Sequence, residues 1–92
     1  MKIFKYNLPY SSTTLELPSG AIILKVAVIE NLKQEVFVWA IVNPDETNVD
    51  TYHFILFPTG LEILDDLCMY TYLDTIFFDS GSLVYHVFYK KV

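Results

Sequence analysis

The fold is decided by two apolar runs, Ala21-Ile22-Ile23-Leu24-Lys25-Val26-Ala27-Val28-Ile29 and Glu35-Val36-Phe37-Val38-Trp39-Ala40-Ile41-Val42. Both are dominated by β-branched and aromatic residues, which fit a pleated, half-buried surface. Asn31-Leu32-Lys33-Gln34 between them is polar enough for a hairpin loop, so the runs read as one antiparallel hairpin. Lys25 is the only charge in the first run before Glu30, which leaves both faces of that strand apolar. A strand of this kind is expected at the centre of a sheet or beneath a partner.

Shorter strands follow outward from this hairpin. Residues 2–8 alternate Ile3, Lys5 and Asn7 against Phe4, Tyr6 and Leu8, and Pro9 marks an edge because it has no N–H for a ladder. Thr13 to Leu17 points Leu15 and Leu17 inward and Glu16 outward, and Pro18-Ser19-Gly20 turns the chain. After the polar turn Asn43 to Asn48, Thr51 to Phe57 alternates Tyr52, Phe54 and Leu56 with His53, Ile55 and Phe57, and Pro58-Thr59-Gly60 ends it. Thr71 to Phe78 and Ser82 to Lys90 flank the turn Asp79-Ser80-Gly81, and Lys90 and Lys91 protect a terminal edge with charge. Leu61 to Leu67 departs from this rhythm: Leu64, Leu67 and Cys68 share one face at a spacing near 3.6, which predicts a short helix. About seven strands and one helical segment predict a mainly-β fold, a compact antiparallel β-sandwich or open barrel, with residues 1–92 as a single domain.

At 92 residues such a domain buries only about 60% of its unfolded surface, while hydrophobic residues make up 53% of the chain. That surplus of apolar side chains predicts a homo-oligomer or a sticky partner face. The net charge is -5, and the six basic residues are all lysine. Without arginine, the preferred fork for phosphate and guanine, and with a negative field, nucleic acid is excluded as a partner. The acidic balance suits solubility, or a basic partner. No apolar stretch has the length of a membrane span or a signal-peptide core, so neither export nor membrane anchoring is expected.

No constellation carries recognisable chemistry. His53 and His86 lie inside strands without metal-ligand spacing and read as structural or interface residues. Cys68, the single cysteine, reads as a buried, inert thiol. Glu62, Asp65, Asp66, Asp74 and Asp79 lack the order of a calcium loop and read as a solvated face, with docking of a basic partner as the second reading. Pro58-Thr59-Gly60 reads as a plain strand-to-helix turn before an anion site. Trp39 is a core anchor if it points inward and an interface residue if outward, and the core reading is preferred. No catalytic residue, metal or cofactor is assigned, and the expected answer to whether this is an enzyme is no. The candidate interface or ligand contacts are Lys25, Trp39, Tyr52, His53, Thr59, Gly60, Tyr85 and His86.

Five pieces, in order along nearly the whole chain, resemble a family of small uncharacterised bacteriophage proteins catalogued as a domain of unknown function. They are Lys2-Ile3-Phe4-Lys5-Tyr6, Leu17-Pro18-Ser19-Gly20-Ala21 before Ile23-Leu24, Trp39-Ala40-Ile41-Val42-Asn43-Pro44, Thr59-Gly60, and Leu83-Val84-Tyr85-His86-Val87-Phe88. The chain departs from that pattern at Asn43, where Asp is usual, at Pro58, where Gly is usual before Thr-Gly, and at Asp74, where Gly usually follows the Tyr-Leu pair. Pro58 also removes a backbone donor from the Thr-Gly turn. The resemblance implies a phage genome, action in the host cytoplasm and no catalytic motif. The expected function is a non-enzymatic accessory protein that binds and inhibits a host protein, an anti-phage defence protein being one candidate. The alternatives are an oligomeric small-molecule module that sequesters a nucleotide signal with aromatics and lysines such as Lys25 or Lys33, and a minor virion component.

Overall fold

The strand Glu35–Val42 shows a strict alternation: Val36, Val38, Ala40 and Val42 are buried, and Glu35, Phe37, Trp39 and Ile41 are half-buried on the opposite side. A period of two places each set on its own face of a sheet. One set therefore belongs to a core and the other to an outer surface. The computed structural model describes residues 1–29 and 34–92, so the expected hairpin loop lies largely outside the described residues.

The strands are β1 (Lys2–Asn7), β2 (Ser12–Pro18), β3 (Ile22–Ile29), β4 (Glu35–Val42), β5 (Val49–Pro58), β6 (Thr71–Phe78) and β7 (Leu83–Lys91). They form two antiparallel sheets, one of three strands in the order β1-β4-β3 and one of four in the order β2-β5-β7-β6. The sheets face one another as a sandwich and do not close into a barrel. Leu8 continues β1 by donating to Val36 O at 2.9 Å, and Ser11 O already accepts from Leu56 N at 2.8 Å. The chain thus changes sheets across Pro9-Tyr10. Between the layers lie Val26, Val36, Val38, Ala40 and Val42 from one sheet and Leu17, Phe54, Leu56, Ile76 and Val87 from the other. Each such side chain removed from water contributes about 1.5–3 kcal/mol.

The turns follow their sequence. Pro18-Ser19-Gly20-Ala21 and Pro58-Thr59-Gly60-Leu61 are the same device used twice: Ala21 N donates to Pro18 O at 3.1 Å, and Leu61 N to Pro58 O at 3.3 Å. Gly20 and Gly60 take φ of 85° and 91° at the third turn position, where a type II turn needs a residue tolerant of positive φ. In both turns the proline carbonyl is the working group, so Pro58 does not need the N–H it lacks.

Three expectations are corrected here. The strand β7, read as a terminal edge guarded by Lys90 and Lys91, lies between β5 and β6. Of the two placements expected for the apolar strand β3, the central one is not found; it is the edge of its sheet, and β4 is the middle strand. Its apolar outer side reflects the apolar outer side of β4 beside it. The helix expected over 61–68 is also absent, and the 3-10 turn Asp79–Gly81 is the only helical element among the described residues. The reason is the lack of a surface to pack on. β5 and β6 run in the same direction with β7 between them, so residues 59–70 return along the length of a strand. A seven-residue helix is marginal without a face to bury, and Leu61 and Leu64 stay exposed. The crossover instead stays irregular, and Asp66 Oδ1 accepts from Cys68 N at 3.0 Å.

Candidate functional site

The outer face of β1-β4-β3 gathers residues that are scattered in the sequence. Across the ladder, Ile3 and Ile22 both pair with Ile41, Asn7 and Ala27 with Phe37, and Lys5 and Lys25 with Trp39. Trp39 is therefore outward, half-buried by its neighbours, and not a core anchor. Its ring lies 6.4 Å from that of Phe37, and Lys5 Nζ sits 4.5 Å from the Phe37 ring centroid. Exposed cation–π contacts of this kind are worth about 0.5–1 kcal/mol. The strongest apolar exposure is at Ile3 and Ile22, 59% and 54%.

Lys25 turns toward the other sheet, where its Nζ lies 3.2 Å from Asp74 Oδ2. Both residues follow a β-bulge, one between Ile23 and Lys25 and one between Tyr72 and Asp74, on the two edge strands that approach each other. The Thr75 N–H, helped to a lesser degree by Lys25, holds the Asp74 carboxyl below its ordinary range against the opposing effect of desolvation. The exposed ion pair adds at most about 1 kcal/mol.

The outer face of β2-β5-β7-β6 is built differently. Both ring nitrogens of His86 share hydrogen bonds with threonine hydroxyls, Nε2 with Thr59 Oγ1 at 2.6 Å and Nδ1 with Thr75 Oγ1 at 3.0 Å. Tyr72 Oη extends the chain to Thr75 Oγ1 at 2.6 Å. His53 repeats the arrangement, with Ser12 Oγ at Nε2 and Thr14 Oγ1 at Nδ1, both at 3.1 Å. A hydroxyl donates or accepts as needed, so each imidazole is satisfied in either tautomer. Thr59 and His86 have the separation of a nucleophile and its base. The group behind the base is a hydroxyl rather than a carboxylate, and Thr59 N is committed to Val84 O at 2.9 Å. The arrangement ties β5, β6 and β7 together.

The crossover lies over this same face. Tyr70 sets its ring edge-on to His53 at 6.1 Å, and Lys90 Nζ stands 4.9 Å from the Tyr70 centroid. Asp66 is held below its ordinary range, first by the Cys68 N–H and also by the thiol and Lys90. Cys68 is exposed rather than buried, with Sγ 3.6 Å from Asp66 Oδ2. The acidic stretch is thereby divided: Glu62, Asp65 and Asp66 stand on the crossover, Asp74 faces Lys25, and Asp79 accepts from Gln34 Nε2 at 2.9 Å.

The remaining candidates point elsewhere. Tyr52 is a core residue, 6% exposed, with its hydroxyl donating to Ala21 O at 3.4 Å. Burial, then Asp50 and Tyr89, push its hydroxyl above the ordinary range. Tyr85 faces between the sheets, edge-on to Phe78 at 5.4 Å, beside a cleft of about 400 Å³. Leu8, Val36 and Leu56 line that cleft together with Asn7, Tyr10, Gln34 and Glu35. Among the described residues no group of three or more His, Cys, Asp or Glu is gathered that could hold a metal ion.

Of the expected contacts, the fold brings Lys25 to Trp39 and Thr59 to His86, and separates the rest. Sequence reading missed Phe37 and Lys5 beside Trp39, and Ser12, Thr14, Thr75 and Tyr72 around the histidines. Alternation alone carried the signal for Phe37. The others depend on which strands pair and in what register.

These features define a small two-sheet antiparallel β protein. A family model described as Domain of unknown function (DUF7352) matches residues 1–92, and the chain belongs to that family. No curated protein and no solved structure matches it. In this chain, Asn43 Oδ1 accepts from Asp45 N at 3.1 Å, a cap that an aspartate would also provide.

Proposed function

We propose that the protein acts by binding, as a non-enzymatic phage accessory protein that docks on a host protein in the host cytoplasm and inhibits it. One observation supports this reading: the outer face of β1-β4-β3 carries Phe37, Trp39, Ile41, Ile3 and Ile22, and the crossover, the longest connection, lies on the other side. Tryptophan surrounded by aliphatic side chains is a frequent centre of binding energy. The charge of this face reverses that of the chain as a whole. Lys5 and Lys25 flank Trp39, and Glu35 at the far end is the only carboxylate among its described residues. The matching host surface is therefore apolar with carboxylates, rather than basic.

Affinity capture from host lysate, identification by mass spectrometry and reconstitution with the purified partner test the reading. A stoichiometric complex is expected, weakened at least about 30-fold by Trp39→Asp. Repeated captures without a stoichiometric partner, or a complex indifferent to Trp39→Asp, overturn it. The cleft beside Tyr85 supports a second reading, small-molecule binding. Among its described residues the lining is largely apolar with one carboxylate, Glu35, which suits an uncharged or cationic ligand, and a nucleotide is the other class to test. A thermal-shift panel that includes nucleotides separates these ligand classes, and a flat response removes the reading.

A further inference from the structure

The crossover presents an arrangement opposite to the Trp39 face. Leu61, Ile63 and Leu64 are exposed by 62%, 44% and 84%, interleaved with exposed Glu62, Asp65 and Asp66. These apolar side chains point away from the molecule that carries them.

We infer that copies of this chain associate head to tail, the outer face of β1-β4-β3 in one copy receiving the crossover Leu61–Asp66 of the next. Charge supports this occupant. Lys5 and Lys25 stand on the two strands either side of Trp39. Glu62, Asp65 and Asp66 set carboxylates among the exposed Leu61, Ile63 and Leu64 of an irregular stretch. The crossover thus offers carboxylates with apolar side chains where the Trp39 face offers ammonium groups with apolar side chains. Lys25 keeps Asp74 as a neighbour at 3.2 Å, so Lys5 is the freer cation of the pair.

The alternative of two Trp39 faces packed against each other is disfavoured by the same charges. It would bring Lys5 and Lys25 of both copies together around the two indoles, and like charges at an interface oppose association. Nor can one molecule satisfy itself, since the two surfaces lie on opposite sides of a body 16 Å through its thinnest axis. A contact between unlike surfaces repeats, giving a ring or an open stack. The three-stranded face measures only about 14 by 23 Å from its strand spacing and length, below the usual area of a stable interface. The association is accordingly micromolar and concentration-dependent. Self-association uses the same Trp39 face as host docking and adds the crossover, so a change to the crossover alone separates the two.

Sedimentation velocity or light scattering up to concentrations on the order of 100 µM tests it, with Trp39→Asp and Leu64→Asp as variants. Both positions point outward, and circular dichroism checks that each variant is folded. The wild type is expected to grow in mass with concentration, and each variant alone to remain monomeric. An equimolar mixture is expected to form a one-to-one dimer that grows no further, because each variant retains one intact surface. A wild type that stays monomeric overturns the proposal. So does a Leu64→Asp variant that associates like wild type, which would signal packing of like faces, or a mixture that forms no dimer. If either variant fails to fold, Lys5→Glu and Asp65→Lys replace them. Each should be monomeric alone, and mixing should restore growth as the two reversed charges meet. Leu64→Asp leaves the Trp39 face open, so its effect on self-association is separable from host binding.

Discussion

The outer face of the four-stranded sheet is tied together by hydroxyls and imidazoles, and a crossover lies on it. The outer face of the three-stranded sheet has neither. On the first, His86 and His53 each engage two hydroxyls, and Phe88 packs edge-on against Phe57 at 6.0 Å and Tyr72 at 5.6 Å. On the second, the outward side chains are aliphatic, aromatic or lysine, with Asn7 and Glu35 at one end. The polar face spends its groups on its own strands, whereas the apolar face leaves side chains that stabilise little in the isolated chain. Apolar area that does not serve folding is available for association.

Three experiments break or sharpen this contrast. The largest effect is expected from neighbours on one strand. Val38→Asp buries a charge between the sheets and should unfold the domain in a thermal melt, whereas Trp39→Asp, one residue on, should keep a cooperative transition. Equal loss in both variants would remove the distinction between the sides of β4.

A smaller effect separates the two outer faces. Thr75→Val removes the hydroxyl shared by His86 and Tyr72 and should cost about 1–2 kcal/mol in urea unfolding. Ile22→Thr on the apolar face should stay within about 0.5 kcal/mol of wild type. If Ile22→Thr proved the more destabilising, the apolar face would be part of the folding core.

The smallest effect is set by pH. Folding lowers the Asp74 pKa, through the Thr75 N–H first and Lys25 after it. Its contribution is therefore complete above the unfolded carboxyl value of about 3.9 and is lost as pH falls through the folded value. A slight drop in Tm on acidification below about pH 4 is expected in wild type, and a shallower one in Asp74→Asn. Identical slopes would show that the ion pair between the edges adds nothing.

Much of the fold was legible because strands advertise themselves by alternation and turns by Pro and Gly. Every strand was found, and both Pro-x-Gly turns form, although the one at Pro58 leads into an irregular crossover and not the expected helix. Two faces of one strand were harder to rank. In β4 the inward set is valine and alanine and the outward set includes Phe37 and Trp39, so size pointed the wrong way. The bulkier residues of β4 lie outside because the facing sheet already fills the shared core with Phe54, Leu17 and Leu56, and valine and alanine take what space remains. In the same way β3 resembled a central strand, since an apolar outer face and a buried one look alike in sequence. The crossover misled for another reason: Leu64, Leu67 and Cys68 have helical spacing, yet Leu64 and Cys68 stay exposed, so a helix there would have no buried face. The Thr59–His86 pair rests on cross-strand register, which no local pattern encodes.

That ambiguity of β3 gives the bulge at Leu24 a further consequence. In a strand apolar on both sides, sliding by one residue exchanges one apolar set for the other and loses little burial, so hydrophobicity alone does not select the alignment. Lys25 does. A one-residue shift against β4 would turn its ammonium under the sheet beside Val38, while the bulged alignment holds it outside within reach of Asp74. One lysine thus serves as a proofreading mark for the hairpin, rejecting misaligned chains as they fold.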